Sequence, residues 1–181
     1  QQLITSAQGD IKINAVAGSG KTTTLVALAG NLPASHQILY LAFNRTVRDE
    51  ARERFDAAGL ERVQVETAHS LAYRSVVRKQ KLQLTPQYKP YELLQHLQVK
   101  TKDPEVRYLL ATHTLKYLQL YFNSEEAHPK DINYAGSLID PKAKNFADRF
   151  AGDLIGYTSK LLELIESGQI PCVHDYYLKK Y

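Results

Sequence analysis

The stretch Ala15-Val16-Ala17-Gly18-Ser19-Gly20-Lys21-Thr22 joins an apolar run over residues 11–16 to a segment with helical spacing. Gly18 and Gly20 can take backbone angles closed to other residues, so main-chain N–H groups can curl around an anion. A helix beginning near Lys21 points its free N–H groups at the same place. Lys21 adds a full charge, and Thr22 offers a hydroxyl to Mg²⁺. This pattern predicts a phosphate-binding loop between a strand and a helix.

The loop departs from the general pattern G-x-x-x-x-G-K-[ST], because Ala15 stands where the first glycine is expected. The strand over residues 11–16 and the helix predicted to end near Gly30-Asn31 supply the context that the pattern requires. The alternative is an ordinary strand-to-helix turn with a solvated lysine. We favour the phosphate loop because of that context.

Composition sets broad bounds on the protein. Of 181 residues, 44% are hydrophobic and 23% are charged, as is ordinary for a globular protein of one domain or of one domain with an inserted lobe. A net charge of +4 is compatible with nucleic acid without requiring it. One cysteine, Cys172, rules out an intrachain disulfide. With no signal pattern or membrane-length apolar run, we expect a cytoplasmic protein.

Strands and helices alternate over the first eighty residues. Apolar runs at 37–43 and 62–66 predict two further strands, the first of them covered on both faces, and a charged helix from about Thr46 to Ala58 lies between them. Such alternation predicts a parallel sheet, at whose carboxyl edge ligands gather. The loops that hold Gly18, Asn44 and Thr67 are expected at that edge.

Three segments in this order, AVAGSGKTTTL, LYLAFNRTVRDEARERF and VETAHSLAYRSV, resemble motifs I, Ia and Ib of superfamily 1 DNA helicases of the UvrD/Rep type, and most closely those of F-box DNA helicases and their bacterial relatives. In that family, motif I tolerates alanine at the position of Ala15. The resemblance implies an α/β fold: an incomplete P-loop (RecA-like) parallel-sheet domain with an all-helical inserted subdomain. It covers about the first eighty residues.

The resemblance also implies site residues, cofactors and partners. ATP and Mg²⁺ would be the cofactors, with Lys21 and Thr22 catalytic and Thr22 the Mg²⁺ ligand. Single-stranded DNA, or a junction of single-stranded and double-stranded DNA, would be the partner. The nucleotide-binding candidates are Gln1 (with Gln2 as its neighbour), Ala17, Gly18, Ser19, Gly20, Lys21, Thr22 and Thr23, and the DNA-binding candidates are Phe43, Asn44, Arg45, Thr67, His69 and Ser70. Gln1 and Gln2 could equally be solvated residues of a frayed terminus, Phe43 could equally end a buried strand, and His69 could be a satisfied residue at a helix start.

The second half has helical periodicity. A helix is expected to begin at Asp103-Pro104, and another to carry an apolar stripe from Phe146 to Leu164. His113 lies in the first stripe and is interpreted as a packed, hydrogen-bonded residue. We predict a first domain over residues 1–80, a helical insertion over 81–170 with scattered surface lysines such as Lys142 and Lys144, and a segment over 171–181 whose aromatics return to the first domain's sheet.

The sequence predicts a fragment of an ATP-dependent DNA helicase, with 3′ to 5′ translocation implied by the resemblance. It has no strand ending in Asp-Glu, and motifs II to VI and the second motor domain are absent, so the fragment itself should be inactive. It would lie in the nucleoid of a bacterium or the nucleus of a eukaryote. The alternatives are a P-loop phosphotransferase acting on a small molecule and a non-catalytic module that binds nucleic acid.

Overall fold

The chain divides into two compact units in a computed structural model that describes residues 9–16 and 18–181. The first unit ends at Leu71, and the second runs over Ala72–Tyr181. The domain limits expected from the sequence, at 80/81 and 170/171, differ from this division and stay a prediction. Gln1, Gln2 and Ala17, which are candidates for nucleotide binding, lie outside the described residues.

The first unit alternates helices and strands. Its elements are α1 (Lys21–Asn31), β1 (Ile38–Ala42), α2 (Arg45–Ala57) and β2 (Val63–Thr67). α3 (Ala68–Ala72) follows β2 directly and ends at the first residue of the second unit. β1 and β2 pair in parallel over their whole length, from Ile38 opposite Val63 to Ala42 opposite Thr67. The helix between two adjacent parallel strands is the crossover that the sequence predicts.

The core of the first unit lies on one face of the sheet. Phe55 of α2 is 2% exposed and meets the Tyr40 ring edge-on at 5.4 Å between ring centroids. Val63 and Val65 of β2 are buried in the same cluster. Leu39 and Leu41 point the other way, because side chains alternate along a strand, and they are 49% and 55% exposed. The expectation that β1 is covered on both faces is therefore wrong for the described residues.

The predicted strand over residues 11–16 is also wrong. These residues have no regular secondary structure, and the sheet of the described chain has only β1 and β2. Ile11 and Ile13 are 40% and 39% exposed. A strand exists through its hydrogen-bonded neighbour, and no described segment pairs with residues 11–16, so their alternating apolar pattern does not suffice.

The second unit is helical. α3 continues into a π-helical turn (Tyr73–Arg78), followed by α4 (Pro90–His96), α5 (Pro104–Phe122), 3₁₀ turns at Pro129–Asp131 and Ala135–Ser137, α6 (Pro141–Arg149), α7 (Ala151–Glu166) and α8 (His174–Lys180). Asp103 accepts hydrogen bonds from the N–H groups of Glu105 and Val106, which confirms the predicted start of α5. None of the helices in the described chain is long and apolar enough to cross a membrane.

Two clusters of buried side chains fill the second unit. The first joins α5, α7 and α8 through residues such as Leu118, Leu161 and Tyr176. Cys172 is fully buried in it, and its backbone forms an isolated parallel bridge with Leu84. The aromatics of the last segment, such as Tyr176 and Tyr177, therefore pack among helices of the second unit. Their return to the first domain's sheet stays a prediction.

The second cluster surrounds His113, which is 6% exposed. Its Nδ1 lies 2.7 Å from the Tyr134 hydroxyl, and its ring stacks on Phe146 at 5.0 Å between centroids. Burial lowers the pKa of His113, and the charge of Lys116 lowers it further. The interpretation of His113 as a packed, hydrogen-bonded histidine is confirmed.

The predicted single helix carrying Phe146 to Leu164 is interrupted. α6 ends at Arg149 and α7 begins at Ala151, because Phe150 has non-helical backbone angles, φ −109° and ψ 21°. The Phe146 and Phe150 rings pack together at 4.7 Å between centroids, and both contact the cluster around His113. The two rings keep the i,i+4 spacing of one helical stripe, so the apolar pattern continues through the local break in backbone angles.

Candidate nucleotide site and strand-end residues

The two loop glycines have the backbone conformation that the sequence predicts. Gly18 has φ 75° and Gly20 has φ 78°, both in the left-handed region that favours glycine. Between them, the Ser19 backbone N–H and Oγ donate to the Val16 carbonyl, at 3.3 and 2.8 Å. The loop is thus closed on itself by short-range hydrogen bonds, and α1 begins directly after Gly20.

Lys21 crosses the loop that it follows. Its Nζ donates to the carbonyl oxygens of Val16 at 2.8 Å and Ala15 at 3.3 Å. An ammonium group has three N–H donors, so these two bonds leave one for an anion. Because Ala15 contributes through its main-chain carbonyl, an alanine in place of glycine still permits this contact.

The residues after Lys21 can provide part of a magnesium site. Thr22 is half-buried in the first turn of α1, and Thr23 is exposed. Among the described residues, no group of three or more His, Cys, Asp or Glu side chains is placed to hold a metal ion. One threonine hydroxyl fits Mg²⁺ only as a partial shell, to which phosphate oxygens and waters would add.

A cavity of about 500 Å³ lies beside the loop. Ile11, Ile13 and Leu25 supply its apolar lining, and Ser19 and Lys21 reach it from the loop. Neither glycine of the loop lines it, nor does Thr22. The cavity therefore shares Ser19 and Lys21 with the candidate phosphate loop.

The residues after β1 include an exposed aromatic ring, a helix cap and an exposed arginine. Phe43 is 94% exposed, which rules out the alternative that it ends a buried strand. Asn44 accepts a hydrogen bond from the Val47 N–H at 2.9 Å through its Oδ1, and so caps α2. Arg45, the first residue of α2, is exposed.

The residues after β2 form a second cap. The Ser70 N–H donates to Thr67 Oγ1 at 3.1 Å, and the Thr67 N–H donates to Ser70 Oγ at 3.1 Å. Ser70 Oγ also donates to Glu66 Oε2 at 2.6 Å. His69 lies between the two hydroxyl residues and is exposed. Glu66 lies in the segment that resembles motif Ib but is absent from the sequence-predicted site, because its contact with Ser70 cannot be read from the sequence.

The two strand ends meet at one edge of the sheet. Because Ala42 is paired with Thr67, Phe43 and Asn44 leave the sheet beside the start of α3. This agrees with the predicted grouping of the DNA-binding candidates at the carboxyl edge. The strand expected to bring Gly18 to the same edge is not formed, so that third part of the grouping remains a prediction.

The chain belongs to the UvrD/REP helicase N-terminal domain family, whose model matches residues 1–165. This is the family that the three motifs indicate. Among curated proteins, the chain is similar to F-box DNA helicase protein 1 of Schizosaccharomyces pombe (strain 972), with 27% identity over 93% of this chain. The match covers 20% of that relative, so the chain spans about a fifth of its length. No solved structure shows a significant match.

Proposed function

We propose that this chain is the part of an ATP-dependent DNA helicase that binds ATP with Mg²⁺ and contacts single-stranded DNA. The observation that carries the proposal is the loop geometry, in which Gly18 and Gly20 adopt left-handed angles and the Lys21 ammonium group donates to the Val16 carbonyl. Membership of the helicase family supports it. In the whole protein, ATP hydrolysis would drive translocation along the strand, with 3′ to 5′ polarity implied by the family resemblance.

The residues have distinct proposed tasks. Backbone N–H groups of the loop and the start of α1 hold the phosphates, Lys21 binds the β- and γ-phosphates, and Thr22 binds Mg²⁺. At the sheet edge, the exposed Phe43 ring offers a stacking surface for a base, worth about 1–3 kcal/mol. Arg45 adds a cation for the phosphate backbone.

This part of the protein is proposed to bind its ligands without catalysing unwinding. Hydrolysis requires a carboxylate to anchor the metal and position water, together with charge stabilisation at a closed site. The family resemblance implies that motifs II to VI supply these groups. A protein that acts on DNA in this way would work in the nucleoid or the nucleus.

Nucleotide binding tests the loop. We expect calorimetry with ATP and Mg²⁺ to show at least tenfold weaker binding for Lys21→Ala, because the variant loses a charge-assisted hydrogen bond to the phosphates. Lys12→Ala removes the same charge from an exposed neighbouring residue and should leave the affinity unchanged. In the complete protein, Lys21→Ala should abolish ATP hydrolysis and unwinding while retaining most DNA binding. Full affinity and hydrolysis in Lys21→Ala would contradict the proposal.

DNA binding tests the sheet edge. A labelled single-stranded oligonucleotide should bind the 181-residue chain and lose affinity as salt increases, with a log–log slope of about −0.7 per phosphate contact. A small-molecule phosphotransferase would not bind it. In the complete protein, unwinding of a duplex with a 3′ tail but not of one with a 5′ tail would support the proposed polarity.

A further inference from the structure

The start of α3 is a closed hydrogen-bonded unit. Thr67 and Ser70 exchange backbone N–H and side-chain hydroxyl bonds, each at 3.1 Å, in the reciprocal arrangement of a capping box. Thr67 Oγ1 also lies 3.2 Å from Ser70 Oγ. Glu66, the preceding residue on β2, lies 2.6 Å from Ser70 Oγ through its Oε2. These three side chains surround the turn that carries His69.

The hydrogen-bonding capacity of the Ser70 hydroxyl is filled within this unit. A serine hydroxyl has one proton to donate and two lone pairs with which to accept. The proton goes to Glu66, since a short bond to a carboxylate is the stronger one, and the neighbouring Thr67 carbonyl at 2.9 Å is the alternative acceptor. The lone pairs accept from the Thr67 N–H and hydroxyl. No proton is left for a phosphate oxygen.

We propose that Glu66, Thr67 and Ser70 are positioning residues, which fix the first turn of α3 so that His69 makes the nucleic-acid contact. The inference rests on the proposed function, since it concerns the same DNA-binding edge. It assigns Ser70 an indirect role where the family resemblance implies a direct contact. It also gives Glu66 a role that follows from its contact with Ser70.

A double-mutant cycle separates the two roles of Ser70. Affinity for a labelled oligo(dT) single strand is measured at low salt for the 181-residue chain and for His69→Ala, Ser70→Ala and the double variant. Loss of a capping contact should weaken binding by about fivefold. If Ser70 acts through His69, the double variant binds as weakly as His69→Ala alone. If the two factors multiply, each residue contacts DNA independently and the inference is overturned.

A second pair of variants covers the case in which Ser70→Ala does not fold. Thr67→Ser keeps the hydroxyl and should keep the affinity, whereas the isosteric Thr67→Val removes the hydroxyl and should weaken binding by the same factor as Ser70→Ala. Equal affinities of Thr67→Ser and Thr67→Val for the oligonucleotide would overturn the inference. Ser35→Ala, the same type of change on an exposed turn between α1 and β1, is the matched control and should bind as the unaltered chain does.

The outcomes distinguish this inference from the proposed function. An unaltered chain that does not bind oligo(dT) overturns the proposed function and the inference with it. If His69→Ala weakens binding and Ser70→Ala weakens it further by an independent factor, the inference is overturned and the proposed function stands. Thermal melting of each variant checks that the loss of affinity occurs in a folded chain.

Discussion

The two units bury their apolar side chains in different ways. Among the described residues of the first unit, two helices cover one face of a two-stranded sheet, and Leu39 and Leu41 on the other face are about half exposed. In the second unit, helices enclose clusters in which Leu161 and Leu154 are fully buried. The proposed binding residues therefore lie in the unit whose described sheet is covered on one face, whereas the helical unit encloses its own core.

The largest expected effect comes from truncating the enclosed core. Leu161→Ala should lower the free energy of unfolding by about 2–5 kcal/mol, because a fully buried leucine leaves a cavity. Leu39→Ala on the open face of β1 should cost less than about 1 kcal/mol. Urea denaturation of both variants measures the contrast. Similar costs for the two variants would break the comparison.

An intermediate effect is expected from acidification. Burial holds the pKa of His113 below its ordinary value of 6.5, so below about pH 6.5 the unfolded chain binds a proton that the folded unit resists. Stability from this group is complete above that pH and falls as the pH decreases, by at most about 1.4 kcal/mol per pH unit. The neutral His113→Gln variant should lose this part of the pH dependence.

Chemical denaturation at pH 7.5 and pH 5.5 measures this change. The difference between the unaltered chain and His113→Gln isolates the contribution of His113 from those of the other histidines. A pH dependence that is the same in both would show that His113 is protonated equally readily in the folded and unfolded states.

The smallest effect concerns the cap of α2 in the first unit. Asn44→Ala should cost about 1 kcal/mol, because the Val47 N–H loses its acceptor. Asn44→Ser restores a capping oxygen and should recover most of that stability. It lacks the amide donors, so oligonucleotide affinity should remain reduced if Asn44 also contacts DNA. Recovery of affinity in Asn44→Ser would limit Asn44 to a structural role.

Local chemistry explains which elements could be predicted from the sequence. α1, α2 and the strands β1 and β2 lie within one or two residues of their predicted limits. Gly20 and Gly59 mark helix ends through their backbone preferences, and Asn44 caps a helix start through its side chain. The glycine angles of the loop and the cap at Asp103 are local in the same sense.

The features that could not be predicted depend on distant partners. Residues 11–16 have a strand pattern, but no described segment pairs with them. The helix break at Phe150 lies inside an unbroken apolar stripe, so the stripe does not reveal it. In the candidate site, the sequence identifies Thr67 and Ser70 as hydroxyl residues after a predicted strand. Only the structure shows that their hydroxyl groups are hydrogen-bonded to each other and that the Glu66 carboxylate accepts from Ser70.

The burial of Cys172 gives the protein a built-in reporter. It is the single thiol of the sequence and is 0% exposed, and burial raises its pKa, which further suppresses the reactive thiolate. A thiol-specific dye would therefore label the chain only when the helices around this residue part. The rate of labelling would follow the opening of the second unit. No engineered probe is needed, and the sequence has no second thiol that would also react.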